Sequence, residues 1–336
     1  MKRKLDFFFV NLPRNMQKLM RRIFLMITVL MFFPFRMTVC AQKKELVYTP
    51  IWTAQAQFAG FYVAEAMGYF KEAGLNVVIK HPTASRTNVN RLESGESQFV
   101  SLQLTSALEM MNEGSQLVNV LQYFQQSGLM IISHQPLKGF NSLDGKRVGH
   151  FRAGASMLPI AIGRKAKLDI EWVPFISNAN IYISGAIDAT LAMSYNEYFQ
   201  LRAAGQRLKK EQILYLRDIG YNVPDDGLYV TKDFFMKHRE EVVKFAEATR
   251  KGWEWAAQHP KETLDLVMLF MRQNNVPFNI YAQRWMLEEC LRLLTDPKTG
   301  KRTYRLDPQM FDLTNRILCE GSVLKHPISY KQITQP

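Results

Sequence analysis

Between Glu45 and Lys80 the apolar pattern switches from strand to helix and back, and this constrains the fold of the 336-residue chain more than any other stretch. Glu45–Thr49 reads as a strand and runs into a loop of amides and aromatics that begins at Trp52. Phe58, Phe61, Tyr62, Ala64, Met67 and Phe70 then recur at helical spacing, which predicts a helix over 58–73. Gly74 ends that helix, and Leu75–Lys80 reads as a second strand. The result is a βαβ unit with a chemically rich loop just past its first strand, where open α/β sheets hold their ligands.

The same alternation continues along the chain. Further strands are expected at 97–101, 117–123 and 129–133, with helices at 86–95 and 103–113. A second run starts at Leu143-Asp-Gly-Lys-Arg-Val-Gly149, with strands near 147–150, 171–174, 187–192 and 212–217 and helices at 156–167 and 195–205. Strands alternating with helices of this length argue for sheets covered on both faces, hence two α/β lobes. From Lys232 onward helical spacing dominates, at 239–258, 261–274, 278–294 and 307–320, with Pro260, Pro277 and Pro308 near helix starts. The expected division is a first lobe over 42–133, a second over 134–225, and a return to the first lobe with the C-terminal helices over 226–336. The crossings are placed near Ser133–Pro136 and Asn222–Tyr229. Two crossings make a hinge, and the cleft between the lobes becomes the default ligand site.

The first 41 residues have a different logic. Arg21-Arg22 precede the apolar run Ile23–Phe35, and Val39-Cys40-Ala41 supplies small residues for a cut after Ala41. That is the layout of an export signal, with translation starting at Met1, Met16 or Met20. The run is short for a bilayer span. Cys40 raises a lipoprotein reading, but Met37-Thr38-Val39 lacks the small residue expected before a lipidated cysteine, so a soluble periplasmic protein is preferred. The segment also holds eight of the 43 Lys and Arg and one of the 30 Asp and Glu, leaving the remainder near +6. That charge is spread out, which argues against nucleic-acid binding. Cys290 and Cys319 remain, either paired or as buried thiols. The histidines at 81, 134, 150, 238, 259 and 326 show no metal-ligand spacing, and no metal or cofactor is expected.

Several stretches resemble one family in the right order: Trp52…Gln57-Phe-Ala-Gly-Phe-Tyr-Val-Ala64, Gly68-Tyr-Phe-Lys-Glu-Ala-Gly-Leu75, Leu92-Glu-Ser-Gly-Glu-Ser-Gln-Phe99, Leu143–Gly149, Ile187-Asp-Ala…Asn196-Glu197 and Pro224-Asp-Asp-Gly-Leu-Tyr229. Gly252 followed by His259-Pro260-Lys-Glu262 fits the same pattern. Together they are similar to the periplasmic solute-binding proteins of ABC importers, in the branch of pyrimidine-precursor and alkanesulfonate binders. The resemblance implies the type II periplasmic-binding fold, an α/β protein of two lobes that close over one ligand, with a membrane permease and an ATPase as partners. The family includes an enzyme branch that makes the thiamin pyrimidine from its own histidine and a lysine-bound pyridoxal phosphate. Leu102 and Ser106 stand where that branch has its lysine and histidine, and no cysteine occurs between Cys40 and Cys290. A Schiff base needs a primary amine, so a binding protein is expected, with a synthase-like enzyme or a sensory subunit as the alternatives.

The candidate ligand residues each carry a structural reading beside the functional one. Trp52 either packs the lobes or, as the resemblance implies, stacks on the ligand. Gln57 offers donor and acceptor to a heterocycle edge or simply opens the helix. Phe58 stands where pyrimidine binders often keep a histidine, which exchanges a hydrogen bond for a ring face. Phe61 and Tyr62 diverge by about 100° on a helix, so one of them is core. Gln126 and Ser127 lie before a strand, as ligand contacts or turn residues. Gly154-Ala155-Ser156 expose backbone N–H groups at a helix start, with Arg152 nearby, or allow tight packing. Tyr195 is expected to stack opposite Trp52. Asn196 and Glu197 begin a helix, where a carboxylate is favoured with or without a ligand. Tyr221, Asn222 and Asp226 mark the second crossing, with Glu197 and Asp226 as acceptors for a ring amino group. Trp253 and Trp255 read as packing. The expected ligand is a nitrogen heteroaromatic related to the thiamin pyrimidine, with riboflavin-like rings or a sulfonate as the other candidates.

Overall fold

A computed structural model describes residues 45–152, 154–175 and 180–334. The expected export signal lies outside these residues. Among the described residues ten strands form two five-stranded sheets. The first contains β1 (Glu45–Thr49), β2 (Asn76–Ile79), β3 (Phe99–Gln103), β4 (Leu117–Leu121) and β10 (Asp226–Thr231), in the order β2-β1-β3-β10-β4. The second contains β5 (Leu129–Ser133), β6 (Arg147–Phe151), β7 (Glu171–Phe175), β8 (Ala189–Met193) and β9 (Ile213–Tyr215), in the order β7-β6-β8-β5-β9.

The two orders are the same pattern. In each sheet four strands share one direction, and one strand inserts antiparallel between the third and the fourth of them. That antiparallel strand is β10 in the first sheet and β5 in the second, and each directly follows a passage between lobes. Since β5 bonds to β8 and β9, the chain leaves the first sheet over 122–128, ahead of the expected Ser133–Pro136. The return runs over 216–225 and ends in β10, a strand hidden behind the turn-like Pro224-Asp-Asp-Gly227. β5 is buried along its whole length because both faces of its sheet are covered. Leu129 and Ile131 join the main core, while Met130 and Ile132 pack with Tyr182, Ile187, Ala192 and Leu201 on the other face.

The expected helix over 58–73 is two helices, Ala59–Ala66 and Tyr69–Glu72, because Gly68 adopts a left-handed φ of 78° between them. Ala59–Ala66 is crossed by the long helix Arg239–Gln258 at a point where only glycine fits on either side. A Cβ on Gly252 would fall on the Gly60 carbonyl oxygen, and one on Gly60 would fall inside the Trp253 indole. Trp253 is fully buried and stacks on Tyr123, as its packing role required. Cys290 and Cys319 are free thiols, the first of them buried.

Candidate ligand site

The loop after β1 carries the chain from Thr49 to a short turn at Ala56–Phe58, and hydrogen bonds hold it at Trp52, Gln55 and Ala56. The Gln55 N–H donates to the Tyr62 hydroxyl at 3.3 Å, and that hydroxyl lies 3.0 Å from His81 Nε2. His81 Nδ1 lies 2.8 Å from the Trp52 carbonyl oxygen, so it carries the proton of this bond. Burial pushes the His81 pKa down to about 4, which keeps the ring neutral and the arrangement consistent. The Ala56 N–H donates to Gln283 Oε1 at 2.8 Å, which fastens the loop to the helix Ile280–Leu293.

Gln57 stands at the junction of the lobes. Its Nε2 donates to Asp226 Oδ2 at 2.6 Å and to the Tyr195 hydroxyl at 3.2 Å, and its Oε1 accepts from Gln55 Nε2 at 2.6 Å. Gln57, Tyr195 and Asp226 are thus brought together, with Tyr195 reaching across from the loop after β8. Asp226 Oδ1 is buried without a hydrogen-bond partner; the Tyr123 hydroxyl, close enough to favour its ionised form, donates to Ser101 Oγ at 2.9 Å. Two more hydrogen bonds join the lobes: Thr105 Oγ1 to the Gly154 carbonyl at 3.1 Å, and Trp285 Nε1 to the Ser194 carbonyl at 2.8 Å.

Beside this junction lies a cavity of about 230 Å³, open to solvent. Thr53, Ala54 and Gln55 form one wall, Tyr195, Asn196 and Gln200 the facing one. The remainder comes from the C-terminal helices, from Met271 through Phe278 to Met286, which sequence reasoning left out of the site. The amide and aromatic run Val276-Pro-Phe-Asn279 between two helices was the available signal. Met271 and Met286 are buried, and Gln283 is 7 % exposed.

The other expected contacts are placed elsewhere. Phe58 and Phe61 are fully buried in the first lobe, Phe61 stacked on Tyr48 at 4.0 Å. Tyr62 is equally buried and stacks on Phe270, so both members of that pair are core. Trp52 is 40 % exposed. Gln126 donates to the Thr295 and Arg292 carbonyls and so caps a helix end. Ser127 binds Asp225 Oδ1 at 3.3 Å and receives the Leu129 N–H. Gly154 holds a left-handed φ of 65° and packs against Gln103, while Ser156 is buried nearby. Tyr221 is partly buried in the return passage. Glu197 turns back on its own loop, accepting from the Met193 N–H at 2.9 Å and from Asn196 Nδ2 at 2.7 Å.

Three buried carboxyls cluster around the hinge. Burial raises Glu197 to about 7, Asp225 to about 8 and Asp226 to about 6. Asp225 accepts from the Gly128 N–H at 2.6 Å and so ties the return passage to the outgoing one. Arg217, which donates to the Ser127 carbonyl at 2.8 Å, draws its pKa back only in part.

Two like-built α/β lobes joined by two passages, with a polar junction and a cavity between them, make up the two-lobed architecture of the periplasmic-binding fold. Residues 55–263 match the family described as NMT1/THI5 like, and the chain belongs to that family. The riboflavin-binding protein RibY of Chloroflexus aurantiacus is 23 % identical over 291 residues, 82 % of this chain and 80 % of that one. The formylaminopyrimidine-binding protein of Halalkalibacterium halodurans is 24 % identical over 258 residues, 73 % of this chain and 76 % of that one. Among solved structures, the periplasmic aliphatic sulphonate binding protein SsuA from Escherichia coli superposes with a TM-score of 0.61 at 14 % identity, covering 87 % of this chain and 97 % of the other. The fold is that of the solute-binding proteins of ABC importers.

Proposed function

We propose that the protein captures an uncharged, single-ring nitrogen heteroaromatic of the aminopyrimidine kind and delivers it, as an extracytoplasmic subunit, to an ABC permease and ATPase. The lining of the cavity carries this reading: of its fifteen residues none is charged, and its polar groups are amides and hydroxyls. A sulfonate would lack a cation there, and burying an unpaired charge is costly. The volume of about 230 Å³ lies below the roughly 300–1,000 Å³ of drug-sized sites, which favours one ring over a tricyclic flavin. Ligand contact with both walls favours lobe closure through its differential affinity, with no covalent step. The absence of Lys, Cys and His from the lining supports binding without catalysis. Trp52, next to Thr53 of the lining, would stack on the ligand at the rim. Among the described residues no helix is long and apolar enough to cross a membrane.

Thermal-shift measurements test this. A ligand at 100 times its dissociation constant adds about 2.7 kcal/mol of stability. An aminopyrimidine is expected to raise the melting temperature, and an aliphatic sulfonate is not. Tyr195→Ala should weaken the aminopyrimidine about thirtyfold, for a loss of about 2 kcal/mol of contact. A shift with the sulfonate alone would sink the proposal.

A further inference from the structure

The amides around the cavity have fixed polarities, and these give the ligand's edge more sharply than composition does. Asp226 is an acceptor when ionised, so the side of Gln57 facing it must be Nε2. The opposite side of Gln57 is then Oε1, and Gln55 must present Nε2 to it. Gln55 Oε1 is left over as an acceptor, on a residue that lines the cavity. An independent chain fixes the neighbour. The Ala56 N–H can only donate, so Gln283 must turn Oε1 to it. Gln283 Nε2 is left over as a donor, on a second lining residue. Gln55 precedes Ala56 in the chain and Gln283 accepts the Ala56 N–H, so the two residues meet at Ala56, one with a spare acceptor and one with a spare donor.

Resting on the proposed function, we infer that Gln55 and Gln283 together read an adjacent donor–acceptor edge of the ligand. A ligand N–H goes to Gln55 Oε1, and a ring nitrogen or carbonyl accepts from Gln283 Nε2. The N=C–NH2 edge of an aminopyrimidine has this pattern. Gln283 lies in the helix Ile280–Leu293, beyond the stretch 55–263 that matches the family.

The test is a selectivity ratio. Titration calorimetry would compare 4-amino-2-methylpyrimidine with 3-methylaniline, its counterpart without ring nitrogens, under conditions where both are uncharged. The wild type is expected to prefer the pyrimidine at least about tenfold, because a buried donor left unpaired is costly. Gln283→Glu keeps an oxygen for the Ala56 N–H but replaces the donor by a second acceptor. It is expected to weaken the pyrimidine about 10–100-fold more than the aniline, so that the preference collapses. Gln283→Leu, which also orphans the Ala56 N–H, should lower both affinities and the melting temperature, separating loss of packing from loss of reading. A Gln283→Glu variant that keeps the full preference overturns the inference. Riboflavin and propanesulfonate are run in parallel. Binding of riboflavin alone overturns the single-ring reading, while its flavin edge, an N–H between carbonyls, still tests Gln283 through the same variant. Binding of propanesulfonate alone, or of none of the probes, overturns both.

Discussion

Moving the protein from about pH 8 to about pH 5 is expected to stabilise it by several kcal/mol, against the usual direction for acidification. The cause is the carboxyl cluster at the hinge. Asp225, Glu197 and Asp226 hold their protons in the folded state up to about 8, 7 and 6, whereas the unfolded chain gives them up near 4. A group whose folded pKa is raised contributes stability that is complete below its unfolded value and is lost as pH rises through the folded one. Each net proton is worth about 1.36 kcal/mol per pH unit in that window. His81 acts in the opposite sense between about 4 and 6.5, since its folded pKa is depressed, and it cancels one of the three carboxyls there. Above that range Asp225 and Glu197 act alone. The surface carboxylates Glu96, Glu240 and Glu247 are lowered by ion pairs, so their effect falls below the ordinary value of 4.5 and outside the window. Urea midpoints across this range provide the measurement. Asp225→Asn should flatten the upper part of the curve, because the amide oxygen still accepts the Gly128 N–H without a charge to desolvate. A midpoint that stays level or rises with pH would contradict the raised values.

Gly252→Ala is expected to cost about 3 kcal/mol or more, although alanine is the better helix former by about 1 kcal/mol. The added methyl would land on the Gly60 carbonyl oxygen, which is backbone and cannot turn aside. The two helices would have to separate, and with them the turn Ala56–Phe58 that places Gln57. Gly60→Ala meets the Trp253 ring instead and should be as severe, since that indole is fully buried. Gly163→Ala is the control: it also sits within a helix, but its methyl would meet the flexible end of Ile170. That change is expected to stay within about 1 kcal/mol of the wild type. Denaturant melts of the three variants check the ordering, and equal midpoints would show that the crossing has slack.

Much of the fold could be read ahead of the structure because its signals are local. The period changes around Phe58 and Phe70, the glycine stops and the prolines near helix starts each act within a few residues. β10 could not be read this way. Its Pro-Asp-Asp-Gly opening has the chemistry of a turn, and only the gap between β3 and β4 makes Asp226–Thr231 a strand. The site shows the same division. Gln57, Tyr195 and Asp226 are polar or aromatic groups at element ends, and they meet. Phe58 and Phe61 have the same local signature, yet the turn at Ala56 points them into the core. Gln283 lies 227 positions from the Ala56 N–H it accepts, and nothing in its own neighbourhood marks it.

The placement of β10 has a consequence for how the molecule comes to exist. The second sheet is complete once the chain has reached Tyr215, since all five of its strands lie between Leu129 and that residue. The first sheet has four of its five strands by Leu121, but β3 and β4 are neighbours only through β10. A chain stopped short of Asp226 therefore leaves the earlier lobe split down its middle. The part made first is the part finished last, and the loop that begins at Trp52 must wait for more than half the chain to follow before the sheet beneath it closes.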